Sequence, residues 1–221
     1  MSKLSFRLVT SGESRSFPQG DAFHALADGT SGTVVLVGAD LNEKAVNEAA
    51  GDASLIFVEL DTQCLGEITG ERMGLEGGKI VGFSRFRLGA GAPSQLIELV
   101  VQPHTDRAAK EAAVALFEAA GFTVSVCADR PGRIVDRLVR PYFNAVLNRI
   151  DDGLAGAADI DRAVTLGLGF KRGPVAWLEE TGLDDHARVC NALTEAYADP
   201  FYRPARRARV AARRRSANDP D

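Results

Sequence analysis

The sequence predicts an α/β part followed by an all-helical part. Two observations carry this: short β-rich runs alternate with helical runs up to about residue 128, and no strand signal follows. The loss of strand signal places the boundary near Asp129. The domains are therefore read as 1–128, 129–202 and an arginine-rich tail at 203–221.

In order, residues 4–10 (LSFRLVT), 33–39 (TVVLVGA), 54–60 (SLIFVEL), 79–86 (KIVGFSRF), 95–102 (QLIELVVQ) and 122–128 (FTVSVCA) read as strands. Their nearly continuous apolar character suits a sheet covered on both faces and at least partly parallel. Residues 21–28, 43–50 and 105–120 read as helices, the last with Thr105 as N-cap and Gly121 as its stop. Pro131 then suits the first turn of a long helix of roughly 33 Å at 1.5 Å per residue. On it Ile134, Leu138, Tyr142, Val146 and Ile150 form one i, i+4 stripe; Val135, Val139, Phe143 and Leu147 form a second. Pro141 should kink it. Helices at 157–166, 173–181 and 184–198 complete the pattern.

Composition bounds function. With 45% hydrophobic and 25% charged residues in a 221-residue chain, a buried core is expected. No apolar run approaches the ~20 residues of a membrane helix. The N-terminus lacks export-signal architecture, so a cytoplasmic location is expected. Cys64, Cys127 and Cys190 are odd in number and widely spaced, which excludes a disulfide framework and a paired metal or redox motif. Residues 1–202 hold 19 basic and 28 acidic side chains, a net charge of −9, while Arg203 to Arg215 holds seven arginines and no acid. That run could bind nucleic acid or an acidic partner electrostatically. It lacks interleaved aromatics, so it is read as a solvated, partly helical or disordered terminus.

The helical part carries PGRIVDRLV (131–139), DIDRAVTLGLGFKRGP (159–174) and GLD (182–184). These resemble the PGFIVNRLL-like, DID-A---G-G-P-GP-like and GLD-like segments of the NAD-dependent 3-hydroxyacyl-CoA dehydrogenases. Upstream, TQCLGEIT (62–69), IVGFSRF (80–86) and LIELV (96–100) look like the second half of that family's Rossmann domain, so the resemblance covers about residues 33–202. It implies a reduced Rossmann-like α/β domain followed by a dehydrogenase-type helical domain. It also implies NAD as cofactor, acyl-CoA as ligand, and a homodimer formed through the helical domain.

The departures are chemical. The family's G-x-G-x-x-G loop, whose amides hold the NAD pyrophosphate, is missing. Ser11-Gly12 reads as a plain turn, and Gly89-Ala90-Gly91 as a short loop with no helix after it. Only about 30 residues precede the aligned segment, so the mononucleotide-binding half is expected to be deleted or vestigial. By family position Glu98 is the retained glutamate that orients the catalytic histidine. Ser84 stands where that histidine belongs, and a hydroxyl is no general base near pH 7. Asp136 replaces an asparagine, and an ionised carboxylate repels an oxyanion. Gln63 or Cys64 takes a serine position.

Bland readings fit the rest. If Glu98 faces inward, two readings stand: a relic with a raised pKa, or a carboxylate paired with Arg85 or Arg87. His24 lies on a short amphipathic helix, His104 beside a helix cap and His186 in an exposed-looking DDH run. Asp159 and Asp161 mimic Ca²⁺-loop spacing but lack the Gly and closing Glu, and Asp159 suits a helix cap. Trp177 suits the core. No metal site is expected. The sequence thus predicts a family member degenerate in its NAD site and base, binding acyl-CoA or assembling with a partner. The alternatives are an oxidoreductase on 3-hydroxyacyl-CoA completed by a partner, and a polyanion binder acting through the tail.

Overall fold

In a computed structural model, which describes residues 3–29, 32–51, 53–72 and 77–218, the chain is α/β and then all-α. It divides into two compact units, residues 1–86 with 93–134, and residues 87–92 with 135–221.

The first unit is built on a six-stranded sheet. Its strands are β1 (Arg7–Thr10), β2 (Thr33–Val37), β3 (Leu55–Glu59), β5 (Ile80–Arg85), β6 (Leu96–Val101) and β8 (Thr123–Ala128), and they lie in that spatial order. A separate two-residue pair joins β4 (Gly77–Gly78) to β7 (His104–Thr105). β1, β2, β3 and β5 run parallel, β6 is antiparallel to β5, and β8 is parallel to β6. α1 (Glu43–Ala50) and α2 (Leu65–Thr69) lie on one face. There Val46 and Ala49 from α1, and Leu65 and Ile68 from α2, pack on Val34, Leu36, Ile56 and Val58. The antiparallel step at β6 reverses the chain, so the next crossover, α3 (Arg107–Ala119), lands on the other face. Its Ala109, Ala113 and Phe117 meet Val35, Phe57, Phe83, Leu99 and the Phe6–Phe17–Phe23 stack. Within the described residues the strand order never reverses, so the sheet has no switch point, the place where open α/β sheets bind nucleotides.

The segment expected to be a helix at 21–28 is a single 3-10 turn, Ala22–Leu26, started by the Asp21 carboxylate on the Phe23 amide. Thr105 does not cap α3: its hydroxyl accepts from the Gln102 amide, and the helix begins one residue beyond Asp106. The short helix α2 is absent from the sequence reading, because five residues give too little periodicity to detect.

The second unit packs α4 (Val135–Asp151), α5 (Ala157–Leu168), α6 (Pro174–Thr181), α7 (Leu183–Tyr197) and α8 (Arg206–Asn218). The long helix starts at Val135 rather than near Pro131, because Gly132 and Arg133 both adopt left-handed backbone conformations (φ 71° and 48°). At 17 residues it is about 26 Å long. Its buried face also differs from the apolar stripes. Leu138 is 72% exposed, whereas Asp136, Arg140 and Asn144 are buried with Phe143, Val146 and Leu147. The three polar residues follow an i, i+4 spacing and satisfy one another's neighbours inside the unit, as set out below. The arginine run is helical, and most of its arginines are exposed. α8 buries Ala208 and packs on α7, and Arg206 and Arg207 both pair with Asp151 while Arg215 pairs with Asp184.

The DID and Gly-Pro segments have a common physical cause. Asp161 accepts from the Val175 and Ala176 amides (2.8 and 2.9 Å), which caps the N-terminus of α6. A Cβ on Gly173 would come 2.3 Å from the Asp161 carboxyl carbon, so this cap needs glycine at that position. Asp159 caps nothing; it pairs with Arg162, and Gly156 is the N-cap of α5. Replacing Asp161 with Ala is expected to cost about 1–2 kcal/mol of stability, and Gly173→Ala to be destabilising as well, both read by chemical denaturation.

Candidate functional site

Two of the three family positions come together in the first unit. Ser84 on β5 and Glu98 on β6 are directly opposed in the antiparallel pair, and both side chains are buried. A buried carboxylate must be paired or hydrogen-bonded. Glu98 meets this with Oε1 accepting from the Ile134 amide (2.8 Å) and Oε2 lying 3.9 Å from Nε of Arg133. Each of these two side chains is only 2% exposed. The Arg133 guanidinium also donates to the Asp61 carbonyl, in the loop that leads to Gln63 and Cys64. Asp61 in turn pairs with Arg15.

The expected pairing of Glu98 with Arg85 or Arg87 is therefore corrected. Arg85 donates to Asp21 and to the Ser16 and Ser94 carbonyls and stacks over Phe17 and Phe122, while Arg87 donates to the Gly91 carbonyl. Both are committed elsewhere by loop closure, which strand position alone does not reveal. Arg133 was missed. The sequence signal is its place in PGRIVD, where the family-like pattern has an apolar residue after the glycine.

At the serine position, Cys64 precedes α2, and its amide donates to Glu67. Burial pushes its thiol up to about 11, so it is neither a nucleophile nor a charged ligand at pH 7. The orphan amides of Leu65 and Gly66 are taken by Asp129 (2.7 and 2.9 Å). Gln63 makes no contact that assigns it a chemical role.

Asp136 lies in the helical unit and has a structural partner there. Its carboxylate accepts from Arg140 at 2.7 Å, one turn along α4. Arg140 reaches Nδ1 of His186 (3.3 Å), and Nε2 of His186 contacts Oδ1 of Asn144 (2.9 Å), which also accepts from the Ala205 amide. His186 is thus fully buried, not exposed as its acidic neighbours suggested. Burial and, second, the Arg140 cation lower its pKa from 6.5 to about 3, so the ring is neutral at pH 7.

His104 is exposed on β7, and His24 contacts the Phe17 carbonyl; neither stands in a base–nucleophile pair. Trp177 is half-buried, edge-on to Phe143. Among the described residues no group of three His, Cys, Asp or Glu could hold a metal, and no helix is long and apolar enough to cross a membrane.

Among the described residues, the Gly89 loop and the loop after β1 do not fit a dinucleotide pyrophosphate. In the Gly89 loop the Gly89 amide donates to Asp185 and the Ala90 amide to the Thr181 carbonyl, so these donors are spent. The loop after β1 leads to a 3-10 turn rather than to a helix N-terminus able to hold a pyrophosphate. Its Ser16 amide is taken by Glu59.

The buried imidazole has a measurable consequence. Below pH 6.5 the unfolded chain protonates His186, whereas the folded chain resists until about pH 3. Its contribution is complete above pH 6.5 and is lost as pH falls, by up to ~1.4 kcal/mol per pH unit. Denaturation across this range is expected to show a shallower pH slope in His186→Gln than in the parent.

Residues 132–218 match the family model of the 3-hydroxyacyl-CoA dehydrogenase C-terminal domain. The chain is 33% identical over 111 residues to human mitochondrial hydroxyacyl-coenzyme A dehydrogenase, across 50% of this chain and 35% of the relative. It is 33% identical over 113 residues to the 3-hydroxybutyryl-CoA dehydrogenase of Mycobacterium tuberculosis, across 49% and 38%. These matches span little more than a third of the relatives' lengths. Among solved structures, the (S)-3-hydroxybutyryl-CoA dehydrogenase of Ralstonia eutropha superposes with a TM-score of 0.68 at 23% identity, over 81% of this chain and 64% of that one. At that identity it speaks for the fold. The motifs of the helical unit and these matches agree: residues 132–218 match the C-terminal domain of the 3-hydroxyacyl-CoA dehydrogenases, and about half of the chain is similar in sequence to members of that family.

Proposed function

We propose that this family member is degenerate in its catalytic and cofactor sites and acts without turnover, binding acyl-CoA or assembling with a partner. The observation that carries the reading is the capture of Glu98 by Arg133 and the Ile134 amide, opposite Ser84. A glutamate that orients a base needs an imidazole beside it; here one oxygen accepts from the Ile134 amide, the other faces Arg133 at 3.9 Å, and the cross-strand neighbour is a hydroxyl. Asp136, paired with Arg140, offers no donor to a developing oxyanion. NAD dependence rests on family likeness alone, and the loop geometry speaks against it.

Assembly has its own support. Leu154, Leu166 and Leu168 are each about two-thirds exposed or more, and α5 has no fully buried residue. Exposed apolar side chains at this density suit a subunit interface, and we assign the helical unit to a homodimer.

Purified protein supplied with acetoacetyl-CoA and NADH is expected to leave the NADH absorbance unchanged, and sedimentation of the same sample is expected to give the mass of a dimer. Steady NADH oxidation would overturn the reading in favour of an oxidoreductase on 3-hydroxyacyl-CoA. A monomer mass would remove the homodimer.

A further inference from the structure

The exits of β1 and β2 close on a carboxylate. Glu59, the last residue of β3, is buried; its Oε1 accepts from the Ser16 amide at 2.6 Å and its Oε2 from the Gly38 amide at 2.7 Å. Ser16 belongs to the loop leaving β1, and Gly38 follows the end of β2. Backbone amides that converge at strand ends and turns make concavities that hold anions, phosphates among them.

The surroundings make this a built seat. Gly38 has φ +122°, and a Cβ there would come 2.0 Å from the Ser11 carbonyl oxygen, so the two strand exits lie flush. The Ser11 amide donates to the Val37 carbonyl and the Asp40 amide to the Ser11 carbonyl, which locks them together. Ser16 is fixed on its other side by Arg85, whose amide donates to the Ser16 hydroxyl and whose guanidinium donates to the Ser16 carbonyl. Beside this seat lies a half-open cleft of about 730 Å³, bordered by Thr10, Gly12, Glu13, Ser14, Gln19 and His24 among others. Its border holds a carboxylate and no lysine or arginine, so the cleft offers a phosphate no counter-charge.

We propose that Glu59 is a resident anion: its carboxylate fills the amide seat at the ends of β1 and β2 that a dinucleotide phosphate would need, and so closes the seat to nucleotides. The proposal deepens the non-catalytic reading and rests on it. It differs from an ordinary buried hydrogen bond in that the seat should accept a substitute anion once the carboxylate is removed.

The test is chemical rescue. Glu59→Ala is expected to melt below the parent and to regain part of the loss in acetate or formate, beyond the effect of matched chloride. The parent and Glu59→Gln should show no such gain. No rescue in a folded Glu59→Ala protein would overturn the proposal. Should that variant fail to fold, amide NMR of the parent decides. The Ser16 and Gly38 resonances are expected to stay fixed as pyrophosphate or NADH is added, and movement of both overturns the resident anion. The two readings fail separately. NADH turnover with those amides unmoved would sink the non-catalytic function alone. Perturbed amides without turnover would sink the resident anion alone.

Discussion

The contact between Glu98 and Arg133 is the constraint around which the first unit's candidate site is organised. Two charges that are each nearly inaccessible to water would be costly alone, and breaking a buried pair by removing one member typically costs about 3–5 kcal/mol. Arg133 holds a left-handed backbone conformation, a strain on the order of 1 kcal/mol or more for a side-chain-bearing residue. That conformation brings the Ile134 amide to Glu98 and delays the long helix to Val135. The arginine within PGRIVD thus faces the glutamate and ties down the Asp61 carbonyl.

A second theme is the use of carboxylates to satisfy orphan amides. Asp129 does so at α2, Asp161 at α6 and Glu59 at the exits of β1 and β2. A short helix buried without caps would leave costly unpaired N–H groups, so these acids are structural wherever a helix or loop begins inside the fold. A related arrangement runs through the helical unit, where Asp136, Arg140, His186 and Asn144 form a buried hydrogen-bonded chain. Such a chain fixes one register of α4 against α7, and it accounts for polar residues on a face where apolar stripes suggested packing.

What could be read from sequence was whatever depends on local pattern. The β-branched runs located all six strands of the main sheet, and the Gly173-Pro174 and GLD segments located helix starts to within a residue or two. The family could be read for the same reason, since its motifs are caps and turns with strict local requirements, such as a glycine facing Asp161. Partnerships between distant residues could not be read. Arg85 is 64 residues from Asp21, Arg133 is 35 from Glu98 and His186 is 42 from Asn144, so only the folded chain decides those pairings. His186 looked exposed because its neighbours Asp184 and Asp185 are acidic, yet the turn of α7 that carries it faces inward. The five-residue helix α2 and the left-handed Arg133 have no periodic signature at all.

The most direct measurement is a double-mutant cycle on Glu98 and Arg133, with Glu98→Gln, Arg133→Met and the double variant compared by denaturant unfolding. Each single variant should lose several kcal/mol, and the double variant should lose markedly less than their sum, because neither charge is then left buried alone. Additive losses, or a single variant as stable as the parent, would contradict the account, since Glu98 would then be free for the role its family position implies.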